Sequence, residues 1–192
     1  VPHHAFVVLE DHPLVLGAIT DHLNSVFPDA TFSYTGAHLP AAVKAVTAMG
    51  ATCAIVDLDL GDDRTPEAVV SELQAVTVPV VLISANDNAL AIQKAIRRGA
   101  HCYVPKRLVI DQLRHAVTAA ESGAAWMSPD FAAVLVPMEG SQVSLEPAQH
   151  RALALYAAGL PSVAIAARLH IEVAEVVPLV ASALGQYRMA ST

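Results

Sequence analysis

Short, unbroken apolar runs alternate along the first two thirds of this chain with stretches whose apolar residues recur at helical spacing. The runs are Ala5 to Leu9, Cys53 to Asp57 and Pro79 to Ile83, joined by two shorter, partly polar segments, Thr31 to Tyr34 and His101 to Val104, that also read as strands. A continuous apolar run with β-branched members predicts a strand covered on both faces, as in a parallel sheet flanked by helices. Between the runs, Pro13 opens a helix carrying Val15, Leu16, Ile19, Leu23 and Val26 on one stripe. Further helices are predicted over Leu39 to Met49, Pro66 to Gln74, the segment after Asn86-Asp87-Asn88 that Gly99 ends, and Asp111 to Ser122. Strand and helix in strict alternation predict an α/β fold, a doubly wound five-stranded parallel sheet of flavodoxin-like order.

The pattern changes after Ser122. Gly123 to Ser144 is rich in Gly, Pro and Ser and poor in charge, which reads as a linker holding Trp126 and a short helix from Pro129 to Val136. Leu145 to Thr192 reads as a small all-α module. The expected division is therefore a first domain over 1–124, a linker over 125–144 and a helical domain over 145–192.

Composition narrows the class. With 192 residues and 54% hydrophobic positions, the chain can bury an ordinary domain core and is not disordered. It lacks the ~20 uninterrupted apolar residues of a membrane-spanning helix, and a cytoplasmic protein without membrane contact is expected. The net charge of −7 argues against attraction to nucleic acid by the chain as a whole. Cys53 and Cys102 lie in apolar runs, without the spacing of a metal or redox pair, and are expected as buried thiols. None of the nine histidines forms an i, i+4 metal pair on a helix, and His3 and His4 are expected to fray with the terminus.

The chemistry is concentrated at the ends of the strands. The first predicted strand ends on Glu10-Asp11, the third on Asp57, the fourth on Ser84, and the fifth is followed by Lys106. In a parallel sheet these ends share one rim, where ligands collect. Three neighbouring carboxylates repel one another unless a hard, oxygen-seeking divalent cation sits among them, and Mg²⁺ suits that donor set. A hydroxyl and an ammonium opposite would complement the oxygens of a phosphoryl group carried by Asp57. The pattern fits aspartyl phosphate formation, with Asp57 the nucleophile and Lys106 completing the clamp.

Residues 5 to about 122 resemble the receiver domain of two-component response regulators. Glu10-Asp11 matches the acidic pair, Asp57 the phospho-acceptor, Ser84 the switch hydroxyl and Lys106 the family's lysine, while Gly99 to Lys106 resembles the stretch around the aromatic switch, here Tyr103. The resemblance implies phosphotransfer from a histidine kinase with Mg²⁺ held by Glu10, Asp11, Asp57 and the backbone carbonyl of Asp59. It further implies inward movement of Ser84 and Tyr103, and an influence of Asp59 and Asn86 on the lifetime of the phosphoryl group. Such a protein is a switch and not an enzyme. The stretch Asp57-Leu58-Asp59-Leu60-Gly61 is also similar to the opening motif of haloacid-dehalogenase-type phosphatases, but those carry it on their first strand.

Leu145 to Ile171 resembles the LuxR-type helix-turn-helix: Pro147 stands near a helix start, Leu153 inward, Gly159 at a helix end, and Ile165, Ala166 and Leu169 on the first helix of the motif. The segment that should read DNA departs from that pattern. Glu172 to Val180 has two acids, no lysine or arginine, and a proline at 178, so the helix is expected to kink at Pro178 or to begin near it. From Leu145 onward there is no lysine, and Arg151, Arg168 and Arg188 are matched by Glu146, Glu172 and Glu175. Val177, Leu179 and Val180 are expected to form an exposed apolar surface. No DNA-reading residue is assigned. A homodimer or a protein partner on the C-terminal module is expected, and sequence-specific DNA binding is the alternative.

Overall fold

The structure, a computed structural model, describes residues 4–85, 88–137 and 143–190. Its elements follow one another as β1 (Ala5–Leu9), α1 (Pro13–Val26), β2 (Thr31–Gly36), α2 (Leu39–Met49), β3 (Cys53–Asp57), α3 (Pro66–Ala75), β4 (Val80–Ser84), α4 (Ala89–Arg97), β5 (Cys102–Pro105), α5 (Val109–Ser122), α6 (Pro129–Leu135), α7 (Pro147–Ala157), α8 (Ser162–Leu169) and α9 (Val173–Met189). A 3₁₀ turn over Lys106–Leu108 joins β5 to α5. The strands form one parallel sheet in the order β2-β1-β3-β4-β5, the doubly wound arrangement that the alternation predicts. Among the described residues, no helix is long and apolar enough to cross a membrane.

Because successive strand residues point to opposite faces, each strand feeds two cores. Phe6, Val8, Ile55, Ile83 and Val104 meet Ile19 and Leu23 of α1 and Leu113 and Val117 of α5 on one side. On the other side Val7, Leu9, Val56, Leu82 and Tyr103 meet Leu39, Val70, Ile92 and Ile96. This second core does not stop at the sheet domain. It runs on through Phe131 and Leu135 into Leu153, Ile165, Val176, Leu184 and Tyr187 as one buried cluster.

Helix α6 is the joint. It lies within the stretch expected as linker, yet Phe131 and Leu135 are fully buried, each contributing roughly 2 kcal/mol of apolar burial. Ser128 caps its start by accepting a hydrogen bond from the Phe131 amide. Its last carbonyls, which no intrahelical donor reaches, are satisfied from two sides: Gln93 Nε2 of α4 donates to Val134 O at 2.8 Å, and the Tyr187 hydroxyl of α9 donates to Leu135 O at 2.6 Å. Arg188 of α9 adds a direct bond to the sheet domain, donating from Nη2 to His101 O at 2.9 Å.

Three expectations are corrected. Helix α9 begins at Val173 and not near Pro178, which it carries inside its first turns. The bond that Pro178 cannot donate would go to Ala174 O; both residues are exposed, so water can serve that carbonyl and the ring meets solvent. Val180 is buried at 4% exposure and Leu179 is half-buried, so of the three apolar residues only Val177, at 65%, is a surface residue. His4 is held in place: its ring lies 4.4 Å from that of Phe27, and its Nδ1 meets the Glu121 carboxylate at 3.0 Å.

Candidate functional site

Strand register brings the polar residues to one rim. Leu9 pairs with Val56, Asp57 with Ile83, and Ser84 with Pro105, so Glu10, Asp57, Ser84 and Lys106 each fall within about one residue of a common line across four parallel strands. β3 and β4, buried along their whole length, and β1, buried from Phe6 to Leu9, hold them there. Glu10, Asp57 and Ser84 are themselves buried, at 1%, 4% and 4% exposure, and Asp11 sits at the mouth.

Lys106 Nζ lies 2.7 Å from Asp57 Oδ2, to which it donates a hydrogen bond, and 2.7 Å from Glu10 Oε2. Burial opposes the charged form of each partner. It raises the Asp57 carboxyl above the ordinary carboxylate value, an effect the Lys106 hydrogen bond opposes and the charge of Glu10 reinforces. For Lys106, burial acts downward, but contacts with Asp57 and Glu10 outweigh it and the ammonium is net raised. Lys106 is therefore charged, and it neutralises only part of the carboxylate cluster.

Glu10, Asp11, His12 and Asp57 each offer a ligand atom, and these atoms all lie within 4.8 Å of one another. Two of the oxygens, Glu10 Oε2 and Asp11 Oδ1, are buried and accept no hydrogen bond of good geometry, although Lys106 and His12 approach them as charges. Buried oxygens with spare lone pairs beside the carboxylate of Asp57 form a donor set suited to a divalent cation. Gly61 keeps this mouth open. At φ +67° it takes a conformation that side chains rarely adopt, and a Cβ there would stand 2.9 Å from Asp11 Oδ2.

Of the residues singled out in the sequence, Glu10, Asp11, Asp57 and Lys106 are brought together. Asp59 is exposed, its Oδ1 accepting from the Gly61 amide at 3.2 Å. Asn86 lies outside the described residues. Tyr103, fully buried on β5, turns away from the rim into the second core, where its ring meets Phe131 edge-on at 6.3 Å between centroids. His12, which follows the acidic pair, joins this cluster. It caps nothing through its side chain; instead its Nδ1 reaches Asp11 Oδ1 at 2.6 Å and Glu10 Oε1 at 3.2 Å. Asp11, and then Glu10, raise the imidazole from its usual value. Its position directly after the acidic pair was the available signal.

Residues 6–118 match the family described as response regulator receiver domain, which covers more than half of the chain. The chain belongs to that family. No curated protein sequence matches it. Among solved structures, the RcsB response regulator of Salmonella typhimurium superposes with a TM-score of 0.64 over 97% of this chain and 93% of its own, at 18% identity. RcsB in complex with DNA gives 0.64 over 99% and 96%, also at 18% identity. The signal receiver domain of NarL from Mycobacterium tuberculosis gives 0.56 at 22% identity, over 64% of this chain and 99% of that one. At these identities the likeness establishes the fold, and for RcsB the fold of the whole chain.

Behind the receiver, the helical region keeps the packed framework of its neighbours. Leu153, Ile165 and Val176 are fully buried. Helices α7 and α9 each begin with a reciprocal cap, Glu146 with Gln149 and Glu172 with Glu175. The exposed start of α9 presents Glu172, Val173, Ala174, Glu175, Val177 and Pro178. Arg188, the one cation on this helix, is turned to the receiver.

Proposed function

We propose that this chain is a cytoplasmic, phosphorylation-controlled switch in which Asp57 receives a phosphoryl group from a histidine kinase. The division into a receiver over 1–124 and an effector module over 145–192 belongs to this reading. The observation that carries it is the Asp57 carboxylate, buried on the rim and held 2.7 Å from Lys106 beside two further carboxylates. A carboxylate oxygen of Asp57 would attack phosphorus as the bond from phosphorus to the kinase imidazole breaks, and the departing electron pair would stay on that ring nitrogen. Lys106 would remain paired with the new phosphoryl oxygens, and the Ser84 hydroxyl, at the end of β4, would serve another of them.

Glu10, Asp11, Asp57 and the backbone carbonyl of Asp59 would hold Mg²⁺, which when bound supplies positive charge for the attacking carboxylate and the phosphoryl oxygens. The change of state would reach other molecules through protein contacts or homodimerisation, with weak direct DNA binding, because the exposed start of α9 lacks the cations that supply most DNA affinity. DNA reading remains the alternative that the RcsB likeness suggests.

Beryllofluoride with Mg²⁺ should bind the wild-type chain, fail on Asp57→Ala, and shift the oligomeric state seen in sedimentation. Equal binding to both proteins would remove the receiver reading. Nanomolar DNA binding with a steep salt dependence would overturn the protein-contact reading in favour of DNA. Sustained turnover of small phosphate esters would instead point to a phosphatase.

A further inference from the structure

We infer that Arg188 and His101, which meet where α9 rests on the receiver, form a binding site for a phosphate group, carried by inorganic phosphate or by a small phosphate monoester. The site lies at the start of β5, the length of that strand away from Lys106 and the carboxylate rim. It stands whether or not Asp57 is phosphorylated.

The sign of a missing anion is a cation without a counter-charge. Arg188 is half-buried; its guanidinium donates from Nη2 to His101 O at 2.9 Å, and among the described residues no carboxylate pairs with it. Burial lowers the guanidinium from its ordinary value, and no carboxylate acts to raise it again. Charges taken from water are ordinarily paired, because one neutral hydrogen bond does not offset their desolvation. His101 repeats the pattern on the receiver side. Its Nδ1 is buried and has no hydrogen-bond partner, and burial, followed by the charge of Arg188, lowers its imidazole. The neighbouring Cys102 thiol, pushed up to about 12 by burial, carries no charge that could serve. Arg97 and Arg98 close α4 just ahead of His101, so in a chain of net charge −7 this corner is locally basic.

The donors select the ligand. The guanidinium keeps the rest of its planar N–H fork, and the imidazole offers an Nδ1–H in the tautomer that places its proton there. A flat carboxylate spends both of its oxygens on the fork, whereas a tetrahedral phosphate has further oxygens for the imidazole. A phosphate held this way touches α9 and the receiver at once. A ligand that needs both surfaces favours the arrangement in which they are docked. The site is therefore an input to the joint between the two regions that needs no chemistry at Asp57.

The test is titration of the full-length chain, in EDTA and at fixed ionic strength, with inorganic phosphate, β-glycerophosphate and acetate. Thermal unfolding and the ring ¹⁵N signals of His101, assigned by their loss in His101→Ala, report binding. The expected result is a saturable movement of the His101 Nδ1 signal and a rise in unfolding temperature with phosphate, and neither with acetate. Arg188→Gln should weaken phosphate binding about tenfold or more. His101→Ala, which keeps the backbone carbonyl that Arg188 uses, should weaken it about fivefold; if Arg188→Gln does not fold, this second variant decides. Binding of β-glycerophosphate alongside inorganic phosphate assigns the site to monoesters, and binding of inorganic phosphate alone assigns it to the free ion. A response no greater than that to acetate, or one that survives Arg188→Gln or His101→Ala unchanged, overturns the site.

Discussion

The carboxylate rim and the exposed start of α9 are both placed by well-packed elements, yet they present different surfaces: one gathers carboxylates and a lysine, the other shows no cation. On the rim, buried strands deliver Glu10, Asp57, Ser84 and Lys106 to one line, where Lys106 meets both Glu10 and Asp57. On α9, the inward residues Val176, Val180 and Leu184 hold the fold, while the outward positions carry acids, small apolar residues and a proline. Buried residues set where a helix lies and exposed ones set what it can bind, so likeness of fold transmits only the first.

The comparison breaks most completely at Asp57. Asp57→Asn should abolish covalent labelling by acetyl phosphate, measured by intact mass, while far-ultraviolet circular dichroism stays unchanged. A labelled variant would mean that the rim does not work as its geometry indicates.

The next largest effect concerns the joint between the two regions. Phe131→Ala should cost about 3–5 kcal/mol in chemical denaturation, since it empties a fully buried ring site beneath Tyr103. Tyr187→Phe should cost about 1–3 kcal/mol, because Leu135 O is left without its donor.

The α9 half of the contrast can be sharpened by restoring charge. Ala174→Lys together with Val177→Lys, both on the exposed face, should steepen the dependence of log DNA affinity on log salt by about 2. An unchanged slope would mean that missing cations are not what sets this helix apart.

The smallest effect is in pH. Folding raises the Asp57 carboxyl above its ordinary value of 3.8, so the native state binds its proton more tightly than the unfolded chain does. The stability that this confers is complete below the ordinary value and is lost as pH rises through the raised one. In cation-free buffer, wild-type stability should therefore fall relative to Asp57→Asn as pH climbs above about 4, and added Mg²⁺ should reverse the loss.

Much of this architecture is legible in the sequence because strand ends are marked there twice, by the close of an apolar run and by the polar residue that follows. That is why Asp57, Glu10-Asp11 and Lys106 could be placed on one rim. The likeness of Leu145 to Ile171 to a known helical motif located α7 and α8 in the same way. What could not be read were contacts between distant segments. His4 is ordered by Phe27 and Glu121, 23 and 117 residues away. The α6 stretch looks like linker by composition, and only the facing donors of Gln93 and Tyr187 reveal it as core. His12 sat in plain view, but the sequence does not say whether a residue at a helix start turns back to cap the helix or forward into a cluster.

The double hold on α6 decides where this protein can be cut. A fragment ending at residue 124 would contain every rim residue. It would also uncover Tyr103, strand the Gln93 amide and leave the apolar flank of α4 and β5 bare to water. Such a fragment should self-associate more than one ending at residue 137, which keeps α6 in place and bares the side of α6 that met α7 and the side of α4 that met α9. A receiver over 1–124 would thus borrow its cover from α6, the short helix that follows α5.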